Sequence, residues 1–211
     1  MSDVLFVLAI LAACFGIGVF FAILRKKRKF KQMLSMVFLR VLLPRKDSDA
    51  DDKKETSRDF KEQVSLMEQL LASLRSIGTD SISSKLLGGR SFSLEIVAHE
   101  QEIFFYIAIP KEMQMLFEKQ ITGFYPDAVI DATPEVNIFE GRKSVKGVEL
   151  VLKRPYFEPI KTYQKLESDP MNPLVGALGK LSMGESAVVQ ILLQPVADKW
   201  QAKSFKYEKK L

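Results

Sequence analysis

Cysteine, histidine and tryptophan each occur once in this 211-residue chain, and two of those scarcities close off much chemistry. A single cysteine, Cys14, cannot form an internal disulfide. With His99 as its lone histidine, the chain cannot assemble a zinc site of the usual kinds. The stretch "HEQEI" starts like a zinc-protease helix, but Ile103 stands where a second histidine is required. A Ser-His-Asp arrangement through His99 is formally open, yet no nucleophile motif accompanies it. A phosphate loop is missing too. In "NPLVGALGKLSMGE", Leu174 occupies the position of the first required glycine and Leu181 that of the magnesium-binding hydroxyl. That segment also leads into a strand pattern, whereas a phosphate loop follows one. Gly176 and Gly179 are read instead as letting a short helix pack closely on a sheet. The carboxylates Glu100 and Glu102 read as solvated hairpin charges. No cofactor, no metal and no catalysis are expected.

Charge is absent from Val4 to Leu24, a run of 21 residues. As a helix it would extend about 31 Å, the thickness of a bilayer's hydrocarbon core. A cleaved signal peptide needs basic residues before its apolar run, and Met1-Ser2-Asp3 supplies none. Leu11-Ala12-Ala13-Cys14 resembles a lipoprotein box, but ten more apolar residues follow it. The reading is an uncleaved transmembrane anchor over residues 1–28. Acid is absent next. Residues 25–46 hold nine Lys or Arg and no Asp or Glu, so of 31 basic residues 22 remain beyond position 46, against 25 acidic ones, a net of −3. The basic excess therefore belongs to the membrane surface, and direct nucleic-acid binding is not expected. Arg25, Lys26, Lys27, Arg28, Lys29 and Lys31 are the candidate lipid-headgroup contacts, each contributing on the order of 1 kcal/mol beside anionic lipid. Their position predicts the N-terminus outside and the bulk of the chain in the cytoplasm, at the cell (inner) membrane.

Beyond the basic cluster, Phe30, Met33, Leu34, Val37, Phe38, Val41 and Leu42 recur at helical spacing. This predicts a basic amphipathic juxtamembrane helix over 29–46, lying in the headgroup layer or packed on protein. Residues 47–57, "DSDADDKKETS", read as a charged linker. Phe60, Val64, Met67, Leu71 and Leu74 predict an amphipathic helix over 58–78, packed on the following domain or on a second copy.

Residues 88–211 read as a cytoplasmic α/β domain. "SFSLEIVA" alternates, with Phe92, Leu94, Ile96 and Ala98 on one face, and a tight hairpin at His99-Glu100-Gln101 leads to "EIFFYIAIP". A helix from Lys111 to Phe124 carries Met115, Leu116 and Ile121. "DAVIDAT" and "GVELVLKRP" read as strands, Met171 to Leu181 as a short helix, and "SAVVQILLQPV" as a final strand. The order predicts an α+β, ferredoxin-like βαββαβ sheet with an extra N-terminal strand.

Two blocks, "FFYIAIPKEMQMLFEKQITGFYPDAVI" and "PIKTYQKLESDPMNPLVGALGKLSMGESAVVQILLQPV", carry a family resemblance. With "EQVSLMEQLLASL" and the anchor before them, they resemble the amino-terminal region of membrane-anchored ATPases of the conjugation and type IV secretion class of small-genome bacteria. In that HerA/FtsK/TraG-like class a transmembrane helix, a charged linker and a mixed α/β domain precede a motor domain. The resemblance implies a membrane-anchoring and assembly module of a DNA- or protein-translocating system, itself non-catalytic. Its implied partners are membrane lipid and the motor ATPase or secretion-system subunits, with homo-oligomerisation open. No motor sequence is present, so either the chain continues past Leu211 or the module is encoded alone. The ending "ADKWQAKSFKYEKKL" reads as a helix beginning, with Trp200, Phe205 and Tyr207 short of a partner, which favours the first. The alternative is a stand-alone single-pass scaffold that binds a protein through its α/β domain.

Overall fold

The apolar run and the basic cluster form one continuous helix, α1 (Ser2–Met33), about 48 Å long at 1.5 Å per residue. The structure is a computed structural model describing residues 2–43, 57–75, 89–141, 144–158, 160–196 and 199–209. After α1 come β1 (Met36–Leu42), α2 (Ser57–Leu74), β2 (Phe92–His99), β3 (Glu102–Pro110), α3 (Gln114–Phe124), β4 (Val129–Thr133), α4 (Met171–Leu178), β5 (Ala187–Leu193) and α5 (Lys199–Glu208). The expected linker over 47–57 lies outside the described residues, apart from Ser57 at the start of α2.

The strands form one antiparallel sheet in the order β4-β1-β3-β2-β5. The first four reproduce the ferredoxin-like arrangement: two split β-α-β units, β1-α2-β2 and β3-α3-β4, interleaved so that β1 and β3 lie inside. The α+β, ferredoxin-like expectation therefore holds, but two of its strands are reassigned. Residues 36–42, expected to continue an amphipathic helix, form β1. Helical spacing of apolar residues is real there, but Val37 and Val41 are β-branched, and Val37, Leu39 and Val41 also alternate onto one sheet face. Pairing with β3 on one side and β4 on the other decides between the two periodicities. Conversely, "GVELVLKRP" joins no strand of the sheet; residues 144–152 run without regular structure and are exposed. The additional strand is β5, at the C-terminal end of the order, not an N-terminal one.

All three packed helices lie on one face. Leu39, Phe92, Ile107 and Ile109 from the sheet meet Leu70 and Leu74 of α2, and Met113, Phe117 and Ile121 of the α3 segment. Phe92 and Phe117 stack edge to face at 5.0 Å, a favoured aromatic geometry. Further along, Ile96 and Ala98 meet Leu178 of α4, with Leu174, Leu181, Ala187 and Val189 around them. Phe92, Leu94, Ile96 and Ala98 thus share the covered face, as their alternation predicts.

The helical phases need correcting. In α2, Leu70 and Leu74 are buried and Leu71 half-buried, while Met67 faces solvent. Met115 and Leu116 are exposed, and Met113 and Phe117 take the core positions expected of them. A single 3-10 turn, Lys111–Met113, precedes α3 and sets that phase. At Gly176 a Cβ would meet nothing within 4 Å, and at Gly179 the nearest atom is a carbonyl oxygen of its own helix at 3.5 Å. Close helix-on-sheet packing is therefore not what these glycines provide.

Candidate functional site

Two features of the fold could carry function: the junction between α1 and the sheet, and the face of the sheet that no helix of the core covers.

At the junction, Leu34 N–H donates to the Phe30 carbonyl at 3.1 Å and Ser35 N–H to the Gln32 carbonyl at 3.1 Å. The Ser35 hydroxyl repeats the second contact at 3.2 Å. These bonds close the last turn of α1, whose final carbonyls would otherwise lack partners. The Ser35 carbonyl in turn accepts from the Lys111 N–H at 3.1 Å, just beyond β3. Met36 then pairs with Pro110. Only Leu34 and Ser35 separate the helix from an interior strand. All six candidate headgroup residues, Arg25, Lys26, Lys27, Arg28, Lys29 and Lys31, fall on the last turns of α1, a continuation of the apolar helix and not a separate surface helix. The stretch Val4–Gln32 is long and apolar enough to cross a membrane, and its 18-residue apolar window is not buried against the described residues. Cys14, within that stretch, is exposed.

On the other face of the sheet, register aligns one residue from each strand. Asp131 on β4 opposes Arg40 on β1, Arg40 opposes Tyr106 on β3, Tyr106 opposes Glu95 on β2, and Glu95 opposes Gln190 on β5. This transverse row is polar from edge to edge. Arg40 Nη2 lies 3.1 Å from Asp131 Oδ2, while Glu95 Oε1 accepts from Ser93 Oγ at 2.6 Å and from Gln190 Nε2 at 2.8 Å. Ser93 and Tyr106 are buried, and the Arg40–Asp131 end is half-exposed. Beside it, Arg40 Nε and Thr133 Oγ1 are buried without a hydrogen-bond partner among the described residues, an arrangement that costs roughly 1–3 kcal/mol per group. None of these residues is identifiable from sequence as part of a row, because strand order and register create it.

His99 closes β2 at the hairpin, as expected, but its ring is half-buried. Nδ1 lies 2.8 Å from Ser186 Oγ, and Nε2 lies 3.8 Å from Glu100 Oε1, whose side chain is 84% exposed. Serine, histidine and acid are thus neighbours. An acid so far from the ring and so open to water does not orient an imidazole as a buried triad acid does. What the contact does is tie the hairpin to the start of β5. Ser186 carries no motif; only the pairing of Ala98 with Ala187 brings it near. Among the described residues no three His, Cys, Asp or Glu side chains cluster as metal ligands would.

The loop after β4 is fixed from two sides. Tyr163 Oη donates to Glu68 Oε2 at 2.7 Å and Lys61 Nζ to the Gln164 carbonyl at 3.0 Å, both on α2. The α5 helix is held by Tyr207 against Phe157 at 5.3 Å and by Lys203 Nζ donating to Tyr156 Oη at 3.0 Å. That hydrogen bond holds the Lys203 ammonium above the usual lysine range. Tyr207, expected to lack a partner, has one.

Fold and junction together define the class: a ferredoxin-like α+β domain with one inner strand, β1, continuing from an apolar helix of membrane-spanning length. The chain belongs to the family described as domain of unknown function DUF8128, which matches residues 55–210. No curated protein and no solved structure matches the chain. The family match begins after β1, so the strand seated between β3 and β4 comes from outside it.

Proposed function

We propose that this protein is a membrane-anchoring and assembly module of a type IV secretion- or conjugation-like DNA- or protein-translocating ATPase system, and is itself non-catalytic. The observation that carries the reading is the junction: an apolar helix of bilayer-spanning length enters an interior strand through two hydrogen-bonded residues. Such a join transmits position and force from a bilayer into the centre of a domain, where a flexible tether would not. The sequence resemblance to the amino-terminal region of HerA/FtsK/TraG-like ATPases supports the choice of system. The basic last turns of α1 favour the cytoplasmic leaflet of the cell membrane, with the N-terminus outside. Motor ATPase or secretion-system subunits are then the partners of the cytoplasmic domain.

Alkaline carbonate washing of membranes is the first test, with the chain expected in the pellet; recovery in the supernatant sinks the anchor. Crosslinking in native membranes followed by mass spectrometry tests the assembly role. A translocation ATPase recovered as the main crosslinked protein supports it, and repeated recovery of none sinks it. Purified chain is expected to hydrolyse no ATP above a buffer control.

A further inference from the structure

Residues 144–152, "SVKGVELVL", are built like a strand but pair with none among the described residues. Val148, Leu150 and Leu152 alternate with Gly147, Glu149 and Val151, and Val148 and Leu150 are 87% and 92% exposed. Their backbone groups enter no ladder of the sheet. The same molecule presents the complementary deficiency. Sheet edges are usually guarded by charge, proline or shortness. The β4 edge is so guarded: five residues, Asp131 within it, Pro126 and Pro134 on either side. The β5 edge is not. Its seven residues, "AVVQILL", contain no charge and no proline, and among the described residues no strand pairs with its outer side.

We propose that residues 145–153 of one copy add as a sixth, antiparallel strand to the β5 edge of a second copy. One register brings the apolar residues of arm and edge together, with Lys146 at its rim opposite Leu193. With Glu149 opposite Gln190, Val148 falls opposite Ile191, Leu150 opposite Val189 and Leu152 opposite Ala187. This places the apolar alternation on the helix-covered face, where Val189 and Ala187 already pack beneath α4. The same register sets Arg154 opposite Glu185, both exposed, so charges of opposite sign meet at the end of the ladder. Antiparallel addition continues the alternation of the whole sheet, and backbone pairing with side-chain pockets is a general mode of strand recognition.

The choice of a second copy over another protein rests on the anchor reading of the preceding subsection. Chains held by α1 in one bilayer share an orientation and a high local concentration. With anchors parallel, any symmetry axis runs along the membrane normal, and an arm-to-edge contact either closes by exchange between two copies or repeats around a ring.

The test uses two full-length chains in native membranes, each with Cys14→Ser, one carrying Glu149→Cys and the other Gln190→Cys. Mild oxidation is expected to give a disulfide-linked pair at least tenfold more abundant than when either is mixed with the cysteine-free chain. Adding Val151→Pro, which in this register removes an N–H facing the β5 edge at an exposed site, is expected to abolish the band while leaving circular dichroism unchanged. A band insensitive to Val151→Pro overturns strand pairing. No band overturns the proposal, as does a disulfide forming only within a single chain carrying both cysteines. Carbonate extraction of the same membranes reports separately on the anchor. Were the chain to leave the membrane, oxidation of the released chains at matched concentration would still decide the arm.

Discussion

At the scale of single residues, the core and the polar row make opposite demands. Phe117 is buried against Phe92 and the two strands beneath it, so Phe117→Ala removes packing and leaves a cavity. A loss of about 3–5 kcal/mol is expected by denaturant titration in detergent. Met115→Ala, two positions away on the exposed side of the same helix, is expected to stay within about 0.5 kcal/mol. The pair discriminates between the observed helical phase and the one its sequence suggests. Thr133 asks the reverse question. Its buried hydroxyl has no partner among the described residues, so Thr133→Val exchanges an unsatisfied polar atom for a methyl group of similar size. The melting temperature is expected to hold or rise, by the equivalent of up to about 1 kcal/mol; a clear fall would mean that the hydroxyl is satisfied. Tyr125 adds a pH signature, because burial raises its phenol above the ordinary tyrosine range. The neutral phenol is the form the fold favours, so this contribution is complete below the ordinary value and is lost as pH climbs through the raised one. Tyrosinate absorbance at 295 nm should accordingly show a fraction titrating late.

At the scale of elements, the β2–β3 hairpin turns through Glu100 and Gln101, both at positive φ, 50° and 67°. Two such residues in succession suit a two-residue turn whose preferred sequence is Asn-Gly. Glu100→Asn with Gln101→Gly is expected to stabilise the protein by roughly 0.5–1 kcal/mol, relieving left-handed strain on two large side chains; a fall in melting temperature would contradict it. This hairpin was legible in the sequence because its signals are local, an alternation on each side and three polar residues between. The α1 span, α4, β4 and β5 were legible for the same reason. Residues 36–42 were not. There two periodicities coexist, and the choice lies with β3 and β4, some 70 and 90 residues away in sequence. The mirror case is 144–152, whose β-propensity is plain but which pairs with no strand among the described residues. The polar row from Asp131 to Gln190 was least accessible of all, since its members become neighbours only through strand order. Backbone amides of Met36–Leu42 should exchange as slowly as those of β3. Fast exchange of that segment would restore the surface-helix reading.

At the scale of the whole molecule, β1 makes the apolar helix and the folded domain one unit. Leu39 is fully buried, and β1 ladders with β3 on one side and β4 on the other. A fragment of residues 55–211, close to the span of the family match, would keep α2, α3 and four strands but leave a strand-wide gap between β3 and β4. Ile107 and Ile109 would lose their neighbour on that side, and β4, with five residues, has no other strand to join. Burial of Leu39 contributes about 1.5–3 kcal/mol and the partly buried Val37 and Val41 add to it, a large share of the roughly 5–15 kcal/mol that holds a domain together. Residues 34–211 should therefore melt cooperatively in solution, and residues 55–211 should not. A synthetic peptide of residues 34–43 added to the shorter fragment should restore the transition, because the missing piece is one strand and its position is fixed by pairing on both sides. If 55–211 melts as sharply without the peptide, β1 is an accessory strand. Tension on α1 would then stop at the domain surface, and the rigid coupling on which the proposed anchoring role depends would be lost with it.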